Sequence, residues 1–137
     1  MKFRWLIACL ALAASSCSGD DSGECFGDDE CGFEQVCDRA AGTCVAPPGD
    51  CNGFCLKRST CGMEDRDECI KSSCGASFLQ YYGKTYGADC EQAWLNLMEC
   101  NSNLTCDDLT TYNDQVDPET GTAPFCQSEL QAKNSEC

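Results

Sequence analysis

The sequence predicts a small disulfide-rich protein, mainly α-helical, in which a helical ten-cysteine domain follows a small cysteine-rich β-hairpin module. Three observations carry this expectation. From Cys17 onward the chain holds 16 Leu, Ile, Val and Phe residues in 121 positions, about 13%. That is below the roughly 20% under which a highly charged chain does not fold by apolar burial alone. The same segment holds 14 further cysteines, about 12%, which is the composition of a disulfide scaffold. Near residue 50 the apolar period also changes, from that of short strands to that of helices. A disulfide closing a loop of ~15 residues contributes nominally ~3 kcal/mol in the chain-entropy model, so seven together rival the ~5–15 kcal/mol net stability of a domain. Cross-links are expected to replace the missing apolar core, and the reduced chain is expected to be unfolded.

The first sixteen residues say where such bonds would form. Lys2 and Arg4 give a basic start, Trp5 to Ala14 an apolar run, and Ala14-Ser15-Ser16 a set of small residues before Cys17. This is the order of a signal peptide covering 1–16, and its apolar run is shorter than the ~20 residues of a bilayer span. The stretch resembles the lipobox of Gram-negative lipoproteins, whose cysteine is lipidated and becomes the new N-terminus. The resemblance implies lipidation of Cys17, a diacylglyceryl group with palmitate, and contact with a membrane through that lipid. Ser18 follows where an Asp would favour retention in the inner membrane, so the implied address is the outer membrane. Cysteine parity argues the same way: of 16 cysteines, Cys9 lies in the leader, and lipidation of Cys17 leaves an even 14. Cleavage after Ala11-Leu12-Ala13 is the alternative. It would release a secreted protein with an odd thiol.

Charge narrows the partners. Lys2 and Arg4 are two of nine basic residues, so the exported part sets 23 acidic groups against seven basic ones. Phosphate is repelled at every approach, which excludes nucleic acid as a partner, and an anionic membrane is avoided unless the chain is tethered.

Residues 17–24 form the lipidated tether, in which Ser18 to Glu24, SGDDSGE, has nothing to bury. The four-cysteine module spans 25–45 and contains Cys25, Cys31, Cys37 and Cys44. Gln35-Val36-Cys37 and Thr43-Cys44-Val45 are strand candidates around the turn Asp38 to Gly42, giving a small hairpin with two disulfides in any of three pairings. The acids before Cys31, Gln-Val-Cys before the turn and Gly-Thr-Cys after it resemble dickkopf-type and EB-type modules of extracellular proteins. That resemblance implies pairing of first with third and second with fourth, Cys25 with Cys37 and Cys31 with Cys44.

Residues 46–50, with Pro47-Pro48, are a stiff linker, and Asp50 is a candidate cap for the helix after it. The helical disulfide-rich domain then runs over 51–137. Cys51, Phe54, Cys55 and Cys61 share one face of a helix from Asp50 to about Thr60. A second helix is expected from Glu64 to Ser73, its acids crowding the N-terminal end and Gly75 stopping it. The two resemble twin-cysteine helical hairpins, which implies cross-links between the pairs Cys51/Cys55 and Cys69/Cys74. Ser77 to Gly87 is read as aromatic packing around an irregular turn, with Phe78, Tyr81, Tyr82 and Tyr86 as candidate partner-binding residues. Asp89 and Gln92 have capping-box spacing at the head of a helix whose stripe is Cys90, Ala93, Trp94, Leu97, Met98 and Cys100, with Leu95 off it. A short turn of helix is expected at Thr105 to Leu109, close to Cys106. An acidic loop follows over Thr111 to Gly121. Pro124 is expected to start the last helix, aligning Cys126, Leu130 and Cys137.

No catalytic constellation emerges. The chain has no histidine, which removes the commonest general base and the Ser-His and Cys-His nucleophiles. No Cys-x2-Cys occurs, which argues against zinc and against thioredoxin-like exchange, so no metal and no cofactor are expected. Asp107, Asp108, Asp114, Asp117 and Glu119 supply oxygen ligands suited to calcium, but their spacing fails the EF-hand pattern. Taken whole, the order of lipobox, tether, four-cysteine module and helical ten-cysteine domain resembles cysteine-rich lipoproteins of Gram-negative bacteria. The expectation is a non-enzymatic, envelope-anchored protein with a structural or protein-binding role and a partner still to be identified. The alternative is a secreted effector, such as a hydrolase inhibitor or a toxin-like domain.

Overall fold

The computed structural model describes residues 24–137. The leader 1–16, the lipidation candidate Cys17 and the tether through residue 23 lie outside the described residues. The element order is a 3-10 turn at Asp28–Glu30, strands β1 (Val36–Asp38) and β2 (Thr43–Val45), and helices α1 (Gly49–Thr60), α2 (Arg66–Cys69), α3 (Leu79–Tyr86), α4 (Ala88–Ser102), α5 (Cys106–Gln115) and α6 (Gln127–Glu136). A π-helical turn, Ile70–Cys74, continues α2. The protein is thus small, mainly helical and disulfide-rich, with a two-stranded hairpin on its N-terminal side.

The hairpin is antiparallel, with Val36 opposite Val45, Cys37 opposite Cys44 and Asp38 opposite Thr43. Its turn closes because the Asp38 carboxylate accepts the N–H groups of Ala40 and Ala41 and Gly42 takes φ +67°, a value glycine adopts without penalty. Disulfides Cys25–Cys37 and Cys31–Cys44 clamp it. Their sulfurs make up the module's small interior.

In the helical part, Cys51–Cys74 and Cys55–Cys69 join α1 to the α2/π segment. Cys55 Sγ lies 3.9 Å from Cys74 Sγ, so the two bridges sit side by side, fully buried. The π turn has a geometric reason. On α1 the cysteines are four residues apart, one helical turn, but Cys69 and Cys74 are five apart. In an α-helix five residues rotate by about 500°, which leaves the second cysteine ~140° off the face of the first. A turn closed by i→i+5 hydrogen bonds restores the alignment. Cys61–Cys106, Cys90–Cys137 and Cys100–Cys126 then tie α1 to α5, α4 to the C-terminus, and α4 to the start of α6.

α4 is the central helix, packed against α1, α3 and α6. Met98 and Leu95 face a cluster built from Val36, Ile70 and the cysteines of α1 and the π turn. Leu97, Trp94 and Cys100 face a second cluster with Tyr112, Leu130 and Phe125. Leu95, off the main stripe, therefore packs against the first cluster.

Several boundaries differ from the sequence reading. Ser77 to Gly87 is mostly the helix α3 and not an irregular turn. α1 begins at Gly49 after Pro48, so Asp50 lies inside the first turn and does not cap. α2 is capped by Asp65, whose carboxylate accepts the N–H groups of Asp67 and Glu68. α4 starts at Ala88, with Gly87 at φ +102° before it. Asp89 is therefore already helical, and no capping box forms. α5 runs on to Gln115 from a Thr105 cap, taking up half of the expected acidic loop. Pro124 does not open the last helix: Cys126 stands before it at φ +52°, and α6 begins at Gln127.

The module and the helical part are joined by one buried carboxylate. Asp28 Oδ1 accepts the Cys37 N–H at 2.9 Å and the Ala76 N–H at 3.1 Å, while Oδ2 accepts the Ser77 N–H and hydroxyl at 3.4 Å each. Val36 of β1 shares the apolar cluster of α1 and the π turn. At the edge, the Glu34 N–H donates to Asp67 Oδ1 at 2.7 Å and Arg66 pairs with Glu34 at 2.9 Å.

Candidate functional site

The four aromatic residues proposed from sequence fall on or beside α3, and the structure divides them. Phe78, just before the helix, and Tyr82, one turn on, are half-buried, while Tyr81 and Tyr86 are 53% and 50% exposed. Phe78 meets Trp94 of α4 edge-on at 4.8 Å between ring centres and meets Tyr82 at 5.1 Å. Tyr82 lies 5.4 Å from Trp94, 5.6 Å from Tyr81 and 5.7 Å from Tyr86, on which it stacks. Five rings thus form one connected set running from the apolar cluster to the surface. Edge-to-face and offset contacts of this kind contribute about 0.5–1.5 kcal/mol per pair beyond burial. Rings held by such contacts have little rotamer freedom left to lose when a partner docks.

Local sequence explains why α3 can lie so close to α4. A Cβ at Gly83 would fall on the Glu91 carboxylate, so only glycine lets Glu91 lean across the helix. Gly87 then reverses the chain between the two helices. Lys133 of α6 covers the other side of the aromatic set, its ammonium 4.9 Å from the Trp94 ring. Burial there depresses the Lys133 pKa, and the cation–π contact offsets part of that desolvation.

Beside Tyr81 opens a cleft of about 910 Å³ between the hairpin turn and α3. Val36, Cys74, Ala76 and Leu79 are buried at its floor, and Arg39, Lys84 and Tyr81 are exposed at its rim. Gln80 spans the join: its Nε2 donates to the Cys37 carbonyl at 2.8 Å, and its Oε1 accepts the Arg39 N–H at 3.4 Å.

Most basic groups elsewhere are occupied. Arg58 pairs with Glu64, Arg66 with Glu34, and Lys71 with Asp67 at 2.8 Å. The Lys71 hydrogen bond, helped by the Glu34 N–H, holds Asp67 below the usual carboxylate range. Among the described residues Arg39, Lys57 and Lys84 have neither a carboxylate within ion-pair distance nor an aromatic ring beneath them. Two of these three line the cleft.

No family model, curated protein or solved structure matches this chain.

The calcium candidates do not share one loop. Asp107, Asp108 and Asp114 ride on α5, while Asp117 lies in the turn beyond it. There the Asp117 carboxylate accepts the N–H groups of Glu119 and Thr120, and the Thr120 side chain together with those bonds lowers its pKa. All fourteen cysteines from Cys25 to Cys137 are paired. Two sulfur groups close enough to share an ion, Cys25/Cys31/Cys37 and Cys51/Cys55/Cys74, belong to adjoining disulfides.

Sequence reading missed Trp94 and Lys133 as members of the aromatic set, because each matched a helix stripe or a surface position equally well. It also missed Asp28, one of three consecutive acids with no local mark to set it apart. Arg39 and Lys84 lie 45 residues apart in the chain, and only the docking of the hairpin on α3 brings them to one cleft.

Proposed function

We propose that this protein is a non-enzymatic, envelope-anchored lipoprotein, tethered by lipid on Cys17, whose disulfide-stapled ectodomain presents a rigid aromatic face to a protein partner. The observation that carries the reading is the half-exposure of Tyr81 and Tyr86 on a helix whose inner rings, Phe78, Tyr82 and Trp94, interlock. Tyrosines on a stiff support supply contact area and a polar tip at low entropic cost, as interface anchors do.

Seven disulfides are the chemistry of an oxidising, extracytoplasmic compartment. Among the described residues no helix is long and apolar enough to cross a membrane. The lipid is inferred from the small residues before Cys17, and parity supports it: the fourteen cysteines of 25–137 pair among themselves, and none of them is left for Cys17. The order Cys25–Cys37 and Cys31–Cys44 agrees with the resemblance to dickkopf-type and EB-type modules. The lack of any histidine supports a non-enzymatic role.

Two measurements test this reading. Mass spectrometry of the mature N-terminus should find a diacylglyceryl Cys17, whereas an unmodified start near Ala14 would mean a secreted protein. Crosslinked capture from envelope extracts should yield a specific protein whose recovery falls at least tenfold in the Tyr81→Ala/Tyr86→Ala double variant. Unchanged recovery would remove the aromatic face from the proposal.

A further inference from the structure

We propose that the cleft between the hairpin turn and α3 binds a small anionic amphiphile, a single apolar chain ending in a carboxylate or phosphate head. This goes beyond the partner-binding reading and does not depend on it. The volume, about 910 Å³, lies within the ~300–1,000 Å³ typical of small-molecule sites. Its accessible apolar lining is Val45, Ala46, Pro48 and the Tyr81 ring, with Val36, Ala76 and Leu79 packed beneath them.

Charge sets the head group. The chain carries a net charge of −14, so a free anion is repelled over most of the surface. At this rim two cations stand against two acids, so the cleft is locally neutral on a chain that is otherwise strongly acidic. Arg39 and Lys84 are exposed there without carboxylate partners among the described residues, while most of the other cations are paired or stacked. Of the two acids of the cleft, Asp38 Oδ1 accepts two N–H groups of the hairpin turn, and Glu91 lies against Gly83 of α3. Arginine presents a planar fork that matches carboxylate or phosphate oxygens, and lysine adds a mobile second charge. An apolar floor below two unpaired cations complements a molecule with an apolar body and one anionic end.

Calorimetric titration of the full oxidised chain with decanoate, decyl phosphate, decanol and decyltrimethylammonium, all below their aggregation concentrations, tests the proposal. At least one of the two anions should saturate at one site per chain, with decanol and decyltrimethylammonium at least tenfold weaker. Whichever anion binds more tightly identifies the head. The double variant Arg39→Gln/Lys84→Gln, both exposed positions, should bring anion binding down to the level of decanol, and Tyr86→Ala should leave it unchanged. Amide chemical shifts should move at Ala76, Leu79 and Lys84. Equal binding of anionic, neutral and cationic probes, absence of saturation, or shifts confined to another surface would overturn the proposal.

Discussion

Asp28 is the one charged side chain buried among the described residues, and its four donors explain why it can stay there. Three come from the helical part at Ala76 and Ser77, so one carboxylate joins two stretches of chain nearly 50 residues apart. Replacing it by alanine leaves the Cys37 and Ala76 N–H groups buried without acceptors. Asp28→Ala is expected to lower the unfolding free energy of the oxidised protein by about 2–4 kcal/mol. Urea titration followed by circular dichroism checks this, and a midpoint equal to that of the parent would refute it. A second residue-scale expectation concerns pH. The Lys71 hydrogen bond lowers the Asp67 pKa in the folded protein. Below the ordinary carboxylate value, ~3.9, the unfolded chain therefore binds the proton first. The contribution of Asp67 is complete above that value and disappears as the pH falls through the depressed folded one. At the alkaline end, burial raises the pKa of the Tyr112 phenol. The unfolded chain then gives up its phenolic proton first, and stability falls as the pH rises past about 10. Unfolding midpoints across pH should form a plateau between these limits, with a shallower acid limb in Asp67→Asn.

At the scale of the element, the hairpin was legible from two short strand candidates around a turn that ends in Gly42, and the helices α1 and α4 from a stripe of cysteine and apolar residues. α3 was not. Its sequence carries Gly83 in the interior and has no side-chain cap at Phe78, so local preference says turn, and contact with α4 makes it a helix. α5 extended past its expected end for a similar reason. Thr110, Thr111, Asn113 and Asp114 are weak helix formers, but Leu109 and Tyr112 gain burial on one face. The last helix shows the reverse case. Pro124 is a fair start signal, yet the left-handed backbone at Cys126 delays the helix to Gln127. At the junction of the π turn with α3 even one added methyl group should be felt. A Cβ at Gly75 would fall within the Asp28 carboxylate, although the backbone there, φ −96° and ψ −164°, suits any residue. Gly75→Ala is therefore expected to cost about 1–3 kcal/mol through crowding alone. It should couple with Asp28→Ala in a double-mutant cycle, whereas additive effects would mean the two residues act separately.

For the whole molecule, stability rests on covalent links distributed over three small clusters. Each cluster is too small to hold a fold alone, and disulfides from Cys25–Cys37 to Cys100–Cys126 either form its interior or tie its edges. Reduction should therefore unfold the chain cooperatively. Far-UV circular dichroism before and after addition of reductant should show loss of helix, and a preserved helical spectrum in the fully reduced protein would contradict this account.

Composition alone determined that the fold is small and cross-linked, because a chain with so few large apolar residues and so many cysteines has one workable source of stability. Hydrophobic period placed the main helices, since period is a local property. Tertiary structure alone decided the seven pairings as a set, the role of Asp28, and the meeting of Arg39 with Lys84 and of Tyr82 with Trp94. Each of these depends on which surfaces come into contact after distant segments dock. Residues far apart in a chain leave no mark on one another until a shared burial or a shared hydrogen bond selects them.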